Sequence, residues 1–283
     1  MSRSSSFLVR FSGNRGAVAG MLVLLVIGAG AALAGLAGEQ GGTDLENSLR
    51  PPSMGHPFGT DSFGRDLFSR VLAGSRVSLM VGFSARTISL LLGLVTGLAA
   101  GYYGKRTDSL IMRLADITFA FPTLLLLIAV MAVVTPGLVT LSAVLGVVGW
   151  AAIARLVRGQ VLAVKEREFV EAARAAGVSD ISLIIKHILP QCLSPVIVVY
   201  TLGLGMAIMA ESSLSFLGLG VQPPDPSWGR MISDGIIFMR SAWWLTLFPG
   251  LVLTLTVCSL NLVGDGLRDA LDCRRIDFRK SIQ

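Results

Sequence analysis

Along this chain the hydrophobic positions gather in long unbroken runs, separated by short segments rich in Gly, Pro and charge. A helix needs about 20 apolar residues to cross ~30 Å of hydrocarbon. Six stretches meet that requirement: 17–37, 78–103, 109–134, 138–157, 193–217 and 245–266. An outer-membrane barrel would instead alternate apolar and polar residues over strands of about 10 residues. The pattern therefore predicts an all-α integral membrane protein with six transmembrane helices. Arg86 interrupts the second span and Asp116 the third, and Phe121-Pro122 predicts a kink in the third. Gly93, Gly97, Gly101, Gly203 and Gly205 lie within spans, where small residues let helix backbones approach closely.

Composition reinforces this picture. Of 283 residues, 53% are hydrophobic and only 15% charged, with mean hydropathy +0.71. A water-soluble fold of this size could not hide so much apolar surface, and disorder requires low hydrophobicity. The net charge is +6, but no Lys/Arg run is long enough for a nucleic-acid patch. Cys192, Cys258 and Cys273 are odd in number and widely spaced, which argues against a disulfide framework or a zinc site. His occurs only at positions 56 and 187.

Basic residues orient the spans. With both termini in the cytoplasm, 17 of the 24 Lys and Arg lie inside, six lie outside, and Arg86 lies within a span. This is the bias of a multi-pass protein of the cell (inner) membrane. The first span follows basic residues and ends in small ones, as a signal peptide would. It is, however, longer than a 7–15-residue signal core. Two units are expected: residues 1–76, comprising the cytoplasmic N-terminus, first span and external segment, and a five-helix core, 77–283, containing the loop 163–190.

That loop is the most informative stretch. From Lys165 to Gly177 it reads as a short helix stopped by Gly, which suits the left-handed position past a helix end. Ser179 is a candidate cap for a second helix over 180–187, and Pro190 limits where the next span begins. Ala172, Ala173, Ala175 and Ala176 lack the bulky apolar face of a membrane-surface helix. They form a slim ridge, suited either to a groove on another protein or to packing on neighbouring helices of the same chain.

The run Glu171-Ala172-Ala173, then Gly177, then His187-Ile188-Leu189-Pro190 resembles the EAA loop of ABC-importer permeases. His187 replaces the usual Ile, as in the peptide/nickel branch. Three further stretches are similar to the dipeptide/oligopeptide/nickel (DppC/OppC/NikC-like) members. They are His56-Pro57-Phe58-Gly59-Thr60-Asp61-Ser62-Phe63-Gly64-Arg65-Asp66, the run from Ser215 to Pro224 with Pro226-Ser227-Trp228-Gly229, and Asn261-Leu262-Val263-Gly264-Asp265-Gly266-Leu267-Arg268-Asp269.

The resemblance implies a type I ABC importer permease fold, with Glu171, Ala172, Ala173, Gly177, His187, Leu189 and Pro190 forming the ATPase-coupling loop. It also implies partners: a second homologous permease, two ABC ATPases and an extracytoplasmic substrate-binding protein, all in a lipid membrane. No phosphate-binding G-x-x-x-x-G-K-[ST] loop is present. The chain is thus expected to be no enzyme and to bind no cofactor itself, with ATP-Mg held by the partner ATPases. The implied cargo is a di- or oligopeptide, the alternative being nickel or another small solute. No His lies in a span to favour nickel.

Ionisable groups in spans tend to face a cavity or the bundle interior. Glu211, with Met209 and Ser212, is the candidate for the translocation path, the alternative being a helix–helix hydrogen bond. Asp116 reads as a salt-bridge partner of Arg113, and Arg86 either snorkels or pairs with a carboxylate. Asp61, Arg65, Pro223 and Trp228 are candidates for an external gate or receptor-docking surface; for the external segment the alternative is an ordinary structured loop. A stand-alone secondary transporter would need paired ionisable groups or broken helices near the midplane, and an intramembrane protease would need Ser/His or paired Asp groups in the spans.

Overall fold

The computed structural model describes residue 9 and residues 11–37 and 42–271. Arg3, Arg10, Cys273, Arg274, Arg275, Arg279 and Lys280 lie outside them. The described chain runs through helices α1 (Arg15–Ala37), α2 (Leu67–Tyr103), α3 (Lys105–Ala120), α4 (Thr123–Met131), α5 (Leu138–Val164), α6 (Glu168–Ala175), α7 (Leu189–Phe216), α8 (Trp228–Ile236) and α9 (Trp244–Leu271). Among them α1, α2, α5, α7 and α9 are each long and apolar enough to cross a membrane.

Two spans differ from expectation. α2 begins at Leu67 rather than residue 78, because Asp66 caps it by accepting from the Ser69 N–H and hydroxyl, each at 2.8 Å. The boundary drawn at 76/77 therefore falls inside one continuous helix. The stretch predicted as the third span is not one kinked helix but two, α3 and α4, bent by 88°. Phe121 is extended, at φ −105° and ψ 141°. The following Pro122 disfavours helical backbone at that position and has no N–H to continue the ladder.

α2 and α5 form the tightest seam. Glycines on one face of α2 let α5 approach at contact distance. A Cβ at Gly93 would lie 2.6 Å from Ile153 Cβ, one at Gly97 2.6 Å from the Ala154 carbonyl oxygen, and one at Gly101 2.6 Å from Val161 Cβ. One turn further along, the Ser89 hydroxyl donates to the Gly146 carbonyl at 2.9 Å. Small residues every fourth position build such an interface in lipid, where the hydrophobic effect supplies no drive between helices. Arg86 neither snorkels nor meets a carboxylate; its guanidinium donates to the carbonyls of Val199 (2.6 Å) and Tyr200 (3.3 Å) on α7.

Candidate functional site

At one end of the bundle, residues 165–188 fold back onto α2 and α5. Val170, Leu183 and Ile188 are fully buried in a cluster with Ile153, Val157 and Val161. The loop is pinned further by polar contacts. Tyr102 donates to Asp180 at 2.5 Å, Lys165 donates to the Gly101 carbonyl at 3.1 Å, and the Arg174 guanidinium lies 6.0 Å from the Tyr102 ring.

α6 ends as the sequence predicts. Gly177 has φ +80°, its N–H donates to the Arg174 carbonyl at 3.0 Å, and the Val178 N–H donates to the Ala173 carbonyl at 3.2 Å. This is a Schellman closure, which requires a left-handed residue at that position. Ala173 and Val178 pack inward against the buried cluster. Glu171, Ala172, Ala175, Ala176 and Gly177 are exposed. The slim ridge therefore has an anchored side and an uncovered side.

The second half of the loop departs from expectation. Ser179 makes no side-chain cap. Instead of a separate second helix, a turn at Asp180–Ser182 runs through a π-helical segment, Leu183–Ile188, directly into α7. Pro190 sits in the first turn of α7. The wider π turn removes the clash of a proline ring with the preceding turn of helix. His187 and Leu189 are half-buried and Pro190 is exposed. Sequence reasoning missed Val170, Leu183 and Tyr102, and quoted Ile188 in the motif without its buried role. The signal available was apolar Val170 set among charged residues at a buried helical position.

The tentative path residues separate. Met209 is exposed, whereas Glu211 is 0% and Ser212 5% exposed. Glu211 therefore does not face an open path in this subunit. Its carboxylate accepts from Ser215 at 2.7 Å and Ser212 at 3.2 Å on its own helix. The hydroxyls of Ser78 on α2 and Ser227, the cap of α8, also lie at this carboxylate. Three elements meet there. Asp116 pairs not with Arg113 but with Arg155 of α5, at 2.6 Å. One turn away on α5, Arg158 holds Asp108 through two bonds of 2.5 and 2.6 Å. Neither α5 arginine was paired with these carboxylates from sequence, because the partners lie about 40–50 residues apart along the chain.

At the opposite end, Asp61 and Trp228 are buried, not displayed. Asp61 accepts from the backbone N–H of Phe63 and Arg65 and pairs with Arg65 (2.8 Å) and Arg70 (3.3 Å). Trp228 is fully buried and its indole donates to the Val71 carbonyl at 3.2 Å. These two order the end of the bundle. Asp61, Arg65 and Pro223 border an open cleft of about 480 Å³ between the 61–70 and 223–238 segments; Trp228 does not.

Five long apolar helices and one sharply bent helix pair, with a short loop helix packed at one end, define a multi-pass membrane protein. Residues 93–277 match the family described as binding-protein-dependent transport system inner membrane component, and the chain belongs to that family. It is 49% identical over 230 residues to a dipeptide transport system permease protein of Alkalihalophilus pseudofirmus, covering 81% of this chain and 76% of that one. It is 41% identical to the oligopeptide permease OppC of Bacillus subtilis, covering 94% and 88%. It is 45% identical to a glutathione transport system permease protein of Escherichia coli, covering 81% and 76%.

Proposed function

We propose that this chain is one of two permease subunits in an ATP-driven importer of di- or oligopeptides, with the 165–188 loop docked on a cytoplasmic ATPase. The observation that carries this is the geometry of α6: a short helix fixed to the bundle by buried Val170, with its Glu171–Ala172–Ala175–Ala176 face uncovered. A rigid ridge transmits displacement, and small side chains admit close seating in a groove. The Lys/Arg distribution supports a cytoplasmic position for this loop and both termini. Closure of two ATPases on ATP would move the loops and rock the two permeases between outward- and inward-open states. An external binding protein delivers cargo to the opposite face. The peptide assignment rests on relatives named for dipeptide, oligopeptide and glutathione transport, all of them peptide cargoes.

The test is to purify the tagged chain from its native membrane, identify co-purifying proteins by mass spectrometry, and reconstitute the complex. ATPases, a second permease and a binding protein should appear together, and peptide uptake should need ATP. Uptake by the chain alone would refute the proposal.

A further inference from the structure

α3 has three distinct faces. Leu110, Leu114 and Ile117 form an exposed apolar face suited to lipid. Ile111 and Thr118 are half-buried and Ala115 is buried, on the side by which α3 packs in the bundle. The third face is polar and also exposed: Ser109, Arg113, Asp116 and Ala120, at helical spacing. A membrane helix that already has a lipid side and a packed side needs a different medium on its third. Charged side chains there call for water or a polar partner.

A second observation concerns the adjoining backbone. α3 stops at Phe121-Pro122 and the chain turns by 88°, with Phe121 56% exposed and Pro122 exposed. Non-helical backbone within a span is tolerated only where protein covers it or where it lines a water-filled cavity. The polar stripe and the break adjoin through Ala120.

A third observation is the contrast between the two neighbouring ion pairs. Arg158–Asp108 is bidentate, with side chains 32% and 21% exposed. Arg155–Asp116 has one bond, with side chains 49% and 67% exposed. The first is built as a bolt. The second is open to exchange, because exposed single-bond pairs are weak. The Phe119 ring lies over one side of the Arg155 guanidinium at 4.4 Å, but beside Arg155 the exposed face of α5 carries only Ala152, Gly159 and Ala163, so the other side of the pair is left open.

We infer that the Asp116–Arg155 pair lines the water-filled cargo path in its cytoplasmic half and exchanges partners with the terminal ammonium and carboxylate of a passing peptide. This rests on the peptide-importer reading above. A peptide with free termini carries both charges, so it can replace each side of the pair without leaving either group unpaired. The pair's weakness suits passage, since a conducting site must release what it binds. Neither Glu211 nor the Asp108–Arg158 bolt has such freedom.

The experiment uses the whole reconstituted complex, with Cys192, Cys258 and Cys273 replaced by Ser. Ala120→Cys reports the polar stripe and Leu114→Cys the lipid face. A charged, membrane-impermeant thiol reagent should label Ala120→Cys without nucleotide and lose access in the ATP-vanadate-trapped state, while Leu114→Cys stays unlabelled. An inert Ala120→Cys, or one labelled equally in both states, overturns the placement in the path. The exchange role is read separately. Asp116→Asn and Arg155→Gln should each cut peptide transported per ATP about two- to five-fold, the scale of one exposed ion pair. Thermal stability of the complex and the binding protein's peptide affinity should stay unchanged. Unchanged transport per ATP in both variants overturns the exchange role. Failure of the parent complex to move peptide on ATP would instead sink the importer reading.

Discussion

Gly177 gives the sharpest test of the loop, because strain and steric fit can be separated there. Its φ of +80° is a conformation that side chains disfavour, yet a Cβ built on it meets nothing within 4 Å. Gly177→Ala therefore costs only the left-handed penalty, about 1–2 kcal/mol. The loop can absorb that: Val170, Leu183 and Ile188 are all fully buried, and each contributes about 1.5–3 kcal/mol. Asn tolerates the left-handed region better than Ala, while Leu adds the same strain as Ala plus bulk pointing outward. If strain alone mattered, damage would rank Asn below Ala, with Ala equal to Leu. If an ATPase groove closes over Gly177, it ranks Ala, then Asn, then Leu. We expect the second order, measured as ATPase retained on the affinity-purified permease and as peptide-stimulated ATP hydrolysis. A Gly177→Leu protein that assembles and couples like the parent would refute the docking role of this surface.

Three other changes should have distinct signatures. Gly97→Leu drives a side chain into the Ala154 carbonyl, 2.6 Å from the Cβ position; it should abolish folded yield in detergent, whereas Gly159→Ala, with nothing within 4 Å, should not. Asp108→Asn breaks the bidentate pair with Arg158 and should lower stability by about 1–3 kcal/mol, seen as an earlier melting transition; Asp116→Asn should barely move it. Glu211→Ala strips the acceptor of Ser212 and Ser215, at which Ser78 and Ser227 also converge. The three helical serines can turn back to their own carbonyls, so ATPase docking should survive while peptide transport per ATP falls; intact coupling would show that the far-end junction is dispensable.

The spans were legible because a membrane helix must carry its signal in its own residues. What was missed depends on residues distant in sequence. The start of α2 was hidden because Arg70 and Arg76 lower local hydropathy, although Arg70 is satisfied by Asp61 in the folded chain. The break at Phe121-Pro122 was hidden by the opposite effect. Apolar residues continue through it, so hydropathy reads one span where the backbone makes two helices; the proline was the visible cue. The loop motif was legible down to the glycine that closes its helix, but not Val170 and Leu183, the buried anchors outside it. Glu211 illustrates the limit: Ser212 and Ser215 are adjacent in sequence, while Ser78 and Ser227 arrive from α2 and α8, and only they turn an exposed-path candidate into a buried junction.

These placements bear on how movement at the loop could reach the far end. From Asp180, where Tyr102 is bonded, the chain continues as one helical path to Phe216. At about 1.5 Å per residue, its 37 residues reach roughly 55 Å if straight. Three features along it interrupt regular hydrogen bonding: the π segment Leu183–Ile188, Pro190 and Pro195. All lie in the loop-side half. The half beyond them carries Gly203 against Arg86, then Glu211 in its hydroxyl junction with α2 and α8. A displacement of α6 can thus be absorbed as bending near the loop, while the segment from Thr201 to Phe216 moves with α2 and α8 as one body. Such a division fits a permease that rocks between two states: compliance sits where the loop is pushed, and rigidity where the far end must close.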